Sequence, residues 1–266
     1  MHPLIDHHTH TNYSPDASKE ASMEAHIKKA KALGLKGVMF TDHVDLDTPV
    51  DLFQSIPEYY AYTKKVKQLN EKDFFVGLGI EIGYQAHLKK PLNHLINAHD
   101  FDFVICSMHI GDGLDFHDGD FFKGKTDQEA IKRYFELVKE SVQNFDDYDV
   151  YGHIDYITRY LTGVKDYDFE AFEPIIDEIL KTIIQKQKGI EINTSGLRYN
   201  LGFTHPKKAL LKRYKALGGR IITLGSDAHH PRDLTADFNY AKTLLKAVGF
   251  NEITQFKQRN PYQIKI

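Results

Sequence analysis

The sequence predicts an α/β fold in which a parallel sheet curls into a barrel or barrel-like closure with helices outside. Three observations predict it. Seven short apolar runs recur along the chain, nearly continuous, as in parallel strands covered on both faces. Longer amphipathic segments lie between them, the alternation of βα units. No Pro/Gly/Ser linker, low-complexity tract or break in composition divides the 266 residues, so the seven units read as one domain over 1–266 rather than two.

The runs are PLIDHHTH (3–10), KGVMFTDH (36–43), FFVGLGIEIG (74–83), DFVICSMHI (102–110), DVYGHID (149–155), GIEINTSG (189–196) and RIITLGSD (220–227). After the first, Ser22 to Leu33 carries Met23, Ala25, Ile27, Ala30 and Leu33 at helical spacing, and Gly34 ends it. Pro57 opens the next helical segment, which runs to Asn70. A shorter, weaker piece covers 86–99. Segments 126–144, 169–187, 206–217 and 231–248 complete the set, the last two opened by Pro206 and Pro231.

Composition narrows the function classes. Charged residues make up 27% and the formal net charge is −3, which offers no footprint for nucleic acid or an anionic membrane. No apolar stretch approaches membrane-spanning length, and MHPLIDHHTH lacks the basic-then-apolar pattern of a signal peptide. The single cysteine, Cys106, lies inside the apolar run FVIC and reads as a small buried hydrophobe. One cysteine permits no internal disulfide, in keeping with a reducing, cytoplasmic location. Histidine is in excess, at 15 against 9 prolines and 4 methionines. It is the commonest metal ligand and acid–base group near neutral pH.

The excess falls at strand ends. The first run ends in His8-Thr9-His10, the second in Asp42-His43 and the third in Glu81. The fourth ends in His109, the fifth reaches His153 and the seventh reaches Asp227-Ala228-His229. Carboxyl ends of parallel strands converge on one face, where sites are built. Asp227 and His229 stand two apart, so on an extended backbone both point the same way. A His-x-His at one strand end is usually a polar end and nothing more. Six strands converging with such groups are different, because burying so many ionisable groups is costly without a compensating cation. Imidazole suits Zn, Fe and related metals, and carboxylates can bridge two. Asp16, in TNYSPDAS after the first strand, is a ninth donor, although a turn aspartate after Pro15 is common. At about three protein ligands per metal, nine donors suit two or three ions, with Glu81 as the natural bridge.

The motifs DHHTHTNYSPDAS, FTDH, GIEIG, SMH, GHID and GSDAH resemble, in order and over nearly the whole chain, those of the polymerase-and-histidinol-phosphatase (PHP) family. Length, GHIDYITRY and NTSGLR are most similar to its histidinol-phosphatase branch. The resemblance implies a distorted (β/α)7 barrel, TIM-like, with a trinuclear site at the carboxyl ends of the strands. One metal would take His8, His10, Glu81 and Asp227; a second would share Glu81 and take His109 and His153. A third would take Asp16, His43 and His229, and some members carry His or Glu where this chain has Asp16. The ions implied are Zn, Fe or Mn. The substrate implied is a small phosphate ester, L-histidinol phosphate, cleaved in histidine biosynthesis.

For that reaction a metal-bridging hydroxide is the expected nucleophile. Arginine's planar fork suits the phosphate, and Arg159 and Arg198 follow strand ends on the same rim. Glu81, Asp227 and His229 are the catalytic candidates, the last two as relays of a proton to the leaving alkoxide through water. The Gly-rich, acidic loop 110–125 is a candidate for substrate recognition, against the plainer reading of a mobile acidic loop. Cleavage of phosphotyrosine or a phosphodiester by the same metal chemistry is an alternative, as is a metal-binding module without catalysis. No Gly-rich phosphate loop or Gly-x-Ser-x-Gly elbow is present.

Overall fold

The computed structural model describes residues 4–48, 56–68 and 73–266. His2, the first residue of the expected run 3–10 and the last two of the expected helix 57–70 lie outside them. Seven strands pair side by side in chain order, every neighbour parallel. They are β1 (Ile5–Asp6), β2 (Gly37–Phe40), β3 (Phe75–Gly83), β4 (Phe103–Ser107), β5 (Val150–Tyr151), β6 (Gly189–Asn193) and β7 (Ile222–Gly225). The sheet nearly closes into a barrel, as expected.

The seam between β1 and β7 is spanned by three backbone bonds: His7 N–H to Leu224 O (3.2 Å), Asp227 N–H to His8 O (2.8 Å) and His10 N–H to Ala228 O (2.9 Å). The Asp6 carboxylate reinforces it by accepting from the backbone N–H of Ser226 (3.0 Å) and Thr235 (2.9 Å).

Helices α1 (Met23–Ala32), α2 (Ile56–Gln68), α3 (Lys89–Asn97), α4 (Asp127–Asn144), α5 (Phe169–Gln185), α6 (Lys208–Ala216) and α7 (Phe238–Val248) lie outside. Their starts follow local chemistry. The Ser22 hydroxyl accepts from Ala25 N–H at α1, and Thr126 and Glu129 form a reciprocal capping box at α4. The expected helix 231–248 is interrupted: a 3-10 turn at Pro231–Asp233 precedes α7. Between them Asp6 binds Thr235 N–H, and Thr194 Oγ donates to Ala236 O. These bonds pin the chain to the barrel edge, and Thr235 and Asp237 adopt left-handed φ values of 57° and 58°.

Alternation along each strand sorts side chains between barrel interior and helix layer. On β3, Val76, Leu78, Ile80 and Ile82 join the large core under the helices, while Gly77, Gly79, Glu81 and Gly83 take the other face. On β4, Val104 and Cys106 face the helices; Phe103 and Ile105 join Ile5, Met39, Val150 and Phe256 in a second, smaller cluster. Phe256 comes from a carboxyl-terminal antiparallel hairpin, β8 (Glu252–Lys257) and β9 (Asn260–Lys265). The hairpin therefore plugs the amino end of the barrel. His7 helps hold it: burial pushes this imidazole down to about 4, and Nε2 of the neutral ring accepts from Phe256 N–H at 3.0 Å. Among the described residues no helix is long and apolar enough to cross a membrane.

Phe256→Ala should cost about 3–5 kcal/mol, the usual range for deleting a buried aromatic side chain. A urea titration checks this: the midpoint falls while the slope is kept. An unchanged midpoint would mean that the plug does not stabilise the barrel.

Candidate metal centre

The layer above the apolar plug is polar and almost wholly buried. Glu81 stands at its centre on β3. One carboxylate oxygen, Oε1, accepts from Ser107 Oγ (2.6 Å) and meets His153 Nε2 (2.7 Å), with His109 Nε2 at 3.4 Å. The other, Oε2, lies 3.0 Å from His43 Nδ1, 3.2 Å from His8 Nε2 and 3.4 Å from His10 Nε2. None of those three contacts has hydrogen-bond geometry, so a buried carboxylate oxygen is left without a hydrogen-bond partner.

The other expected donors gather around it. His8 Nε2 and His10 Nε2 are 3.0 Å apart, and Asp227 Oδ1 lies 3.6 Å and 3.2 Å from them. Asp16 Oδ2 sits 3.1 Å from His229 Nε2 and 3.5 Å from His43 Nε2, although the Asp16 side chain is largely exposed. All nine residues singled out in the sequence thus meet at one mouth. Asp227 and His229 do not reach it by strand alternation. Asp227 has a left-handed backbone, with φ 55°, and a turn brings His229 Nδ1 to 3.5 Å from Asp227 Oδ1.

Four triads hold one donor atom each within 4.8 Å of the others: His8–His10–Asp227, Glu81–His109–His153, His10–His43–His229 and His43–Asp45–His109. The donor set is N and O only, suited to Zn, Fe or Mn. The partnerless Glu81 oxygen and the close, opposed imidazole nitrogens fit a place for cations.

Electrostatics point the same way. Burial opposes the Glu81 charge, but the imidazoles of His8, His109 and His43 outweigh it and hold the carboxyl well below its usual range. Asp227, equally buried, is held down by His8, His10 and His229. Burial also works against charge on His109, yet Asp45 and Glu81 bring it up to about 10. Against the same penalty, Glu191, Glu81 and Asp227 raise His8. His10 goes the other way, lowered by burial and by the imidazoles of His229 and His43. The metal-free site is thus balanced by imidazolium protons, which a divalent cation would replace.

Several contributors were not singled out in the sequence. Asp45 Oδ1 accepts from His109 Nδ1 (2.9 Å), and its Oδ2 lies 3.5 Å from His43 Nδ1. Its signal is the His-x-Asp spacing of HVD, where Asp45 directly follows the short strand His43–Val44, the same spacing as in Asp227 and His229. Gly83 makes room for it, since a Cβ there would stand 1.6 Å from Asp45 Oδ1. Asp42 is not a donor to the cluster. It accepts from Thr11 N–H, Thr11 Oγ and Ser14 Oγ at 2.6–2.8 Å and fixes the loop after β1. Asp155 of GHID meets His205 Nδ1 at 2.7 Å, so His205 is a buried structural histidine.

Both arginines reach the cluster. Arg159, on the 3-10 turn Tyr156–Tyr160, is sandwiched between Tyr156 (4.5 Å) and Tyr199 (3.9 Å). Its Nη2 donates to Ser195 Oγ (2.7 Å) and lies 3.7 Å from Asp227 Oδ2. Arg198, on the helical turn Ser195–Arg198, donates from Nη2 to Asp227 O (2.7 Å). Arg159 Nε and Arg198 Nη1 are buried without partners, so each guanidinium keeps a donor to spare for an anion. Loop 110–125 is folded: it forms a hairpin at Ile110–Gly111 and Leu114–Asp115, and Phe116, Phe121 and Phe122 are buried. His117, beyond the hairpin, packs edge-on against Tyr160.

The model of the PHP domain matches residues 6–195. A histidinol-phosphatase from Lactococcus lactis subsp. lactis is 34% identical, covering 95% of this chain and 94% of its own. A probable histidinol-phosphatase from Clostridium acetobutylicum is 30% identical over 94% of this chain and 97% of its own. The crystal structure of the L. lactis histidinol phosphate phosphatase, complexed with zinc, L-histidinol and phosphate, superposes with a TM-score of 0.88 at 32% identity. That superposition covers 98% of this chain and 99% of the other.

Zinc titrated into chelator-stripped protein should release protons and raise the thermal midpoint. At free zinc a thousandfold above Kd the gain is about 4 kcal/mol. Glu81→Ala should remove most of that gain. A midpoint indifferent to zinc in the unmodified protein would count against a cation site.

Proposed function

The chain belongs to the PHP domain family, and from that premise we propose that it is a metal-dependent phosphomonoesterase hydrolysing L-histidinol phosphate to L-histidinol and phosphate. The observation that carries this reading is the pairing of nine convergent N/O donors with two arginines that both contact Asp227 and each keep a buried N–H without a partner. The relative with L-histidinol and phosphate bound supports the substrate.

On this reading residues 1–266 make one catalytic domain. His8, His10, Glu81 and Asp227 would hold one cation, and Glu81, His109 and His153 a second. Asp16, His43 and His229 would hold a third. Divalent ions bound there supply positive charge against the phosphoryl oxygens and a water acidic enough to serve as nucleophile near neutral pH. Arg159 and Arg198 orient the phosphoryl group by donating to its remaining oxygens, and the tyrosine sandwich keeps the Arg159 plane in place. Asp227 stands beside both guanidiniums and within 3.5 Å of His229. That pair is placed to pass a proton through water to the leaving alkoxide. The edge-on contact of His117 with Tyr160, next to Arg159, supports a role for loop 110–125 in recognising the organic part of the substrate. Cys106, buried and with its thiol pushed up by burial, takes no part, and its burial as a lone thiol suits the cytoplasm.

Zinc-loaded protein is expected to release phosphate from L-histidinol phosphate with a kcat/KM orders of magnitude above that for phosphotyrosine or a phosphodiester. Chelation should abolish the activity. Arg159→Ala should lower kcat/KM by about 100-fold while leaving zinc binding intact. Comparable slow rates on all three substrates would keep a metal hydrolase and discard histidinol phosphate.

A further inference from the structure

Strand β6 supplies none of the nine donors, yet it points Glu191 and Asn193 at the same layer. Both are buried, in a strand whose Ile190 and Ile192 belong to the core under the helices. An acid and an amide on the inner face need partners, and they have a connected set. Glu191 Oε1 accepts from His8 Nδ1 at 2.7 Å. Glu191 Oε2 accepts from His153 N–H and from Asn193 Nδ2, each at 3.1 Å. Asn193 Oδ1 accepts from Ser195 N–H (2.9 Å) and Ser195 Oγ (2.6 Å). Ser195 Oγ accepts in turn from Arg159 Nη2 at 2.7 Å.

Every bond in this chain runs in one sense. Arg159 donates to Ser195, Ser195 to Asn193 and Asn193 to Glu191, and His8 donates to Glu191 from the other side. The carboxylate closes both ends, and the direction of the amide is set because only Nδ2 can face Glu191. With Nδ1 turned to Glu191, it is Nε2 of His8 that faces Glu81, Asp227 and His10, as the nitrogen that would bind a cation. The fold makes space for this arrangement. A Cβ at Gly225 would stand 2.2 Å from Glu191 Oε1 and 2.5 Å from His8 Cβ. The glycine of GSDAHH is therefore required by a residue on the neighbouring strand.

We infer that Glu191, Asn193 and Ser195 are positioning residues that join the His8 end of the metal centre to Arg159, so that the cation site and the phosphate grip are set by one hydrogen-bonded chain. The Arg159 end rests on the reading of that residue as a phosphate ligand; the His8 end does not. Outer partners of a ligating imidazole fix its tautomer and orientation, and losing one typically costs about 10–100-fold in metal affinity or activity.

The test measures two quantities on three full-length variants: zinc affinity by chelator competition, and KM and kcat on L-histidinol phosphate. Circular dichroism and the melting of the zinc-free proteins control for folding. Glu191→Gln should weaken zinc by about 10–100-fold. Ser195→Ala should leave zinc affinity within about twofold and raise KM about tenfold, with a smaller change in kcat, because a free Arg159 loses its orientation. Asn193→Ala, which keeps the carboxylate, should move both quantities together; it is also the decisive variant should Glu191→Gln not fold. Wild-type zinc affinity in a folded Glu191→Gln, or an unchanged KM in Ser195→Ala, would overturn the inference. If the unmodified chain fails on L-histidinol phosphate while Glu191→Gln still loses zinc, the substrate reading falls and the His8 end of the chain stands.

Discussion

Charge burial at the carboxyl mouth of the barrel is the constraint from which the rest of this structure follows. Glu81 and Asp227 are carboxylates with almost no access to water, and His8, His10 and His153 are equally enclosed. Isolated, each would cost several kcal/mol to keep charged. Together they are tolerable only as a mutually compensating set. The set in turn demands close approach of strands, small residues beside the carboxylates and bonded partners behind the imidazoles of His8, His10, His109 and His229. The glycines of β3, the hydroxyl of Ser107 and the Asp42 clasp on the loop after β1 all answer that demand.

The same constraint divides the barrel into two layers. The amino half is closed by apolar packing around Phe256, and the carboxyl half is polar. The apolar plug keeps water from entering below the site, which strengthens the pairings above it. The plug depends on His7, next to the donor His8, staying neutral and accepting from the hairpin backbone. The adjacent residues just beyond β1 thus serve opposite purposes, His7 holding the hairpin and His8 joining the donor cluster.

Much of this was legible in the sequence. Near-continuous apolar runs gave the parallel strands, and polar residues at their carboxyl ends gave the mouth. Eight of the nine donors were found because each breaks an apolar pattern or closely follows one; Asp16, in the loop TNYSPDAS, was added as a further candidate. Glu191 breaks such a pattern too, in the middle of GIEIN, but it is not at a strand end, and position alone did not mark it as part of the site. Asp45 follows the short strand His43–Val44, whose pairing with β3 local pattern does not encode. The break in 231–248 was equally hidden, because it comes from Asp6, more than 200 residues away in the chain. Long-range hydrogen bonds of this kind leave no local periodicity to read.

The seam between β1 and β7 has a further consequence. It is spanned by a few backbone bonds and the Asp6 carboxylate rather than by a full ladder, and it runs through the middle of the site. His8 and His10 stand on one side of it, Asp227 and His229 on the other. The barrel is therefore least tightly laced where its donors gather. A small parting of that joint separates donors from donors while leaving the remaining strand pairs intact. The exchange of ions with the surroundings becomes a local breathing of the wall, with a rate set by Asp6 and its two backbone donors and largely independent of the global stability of the protein.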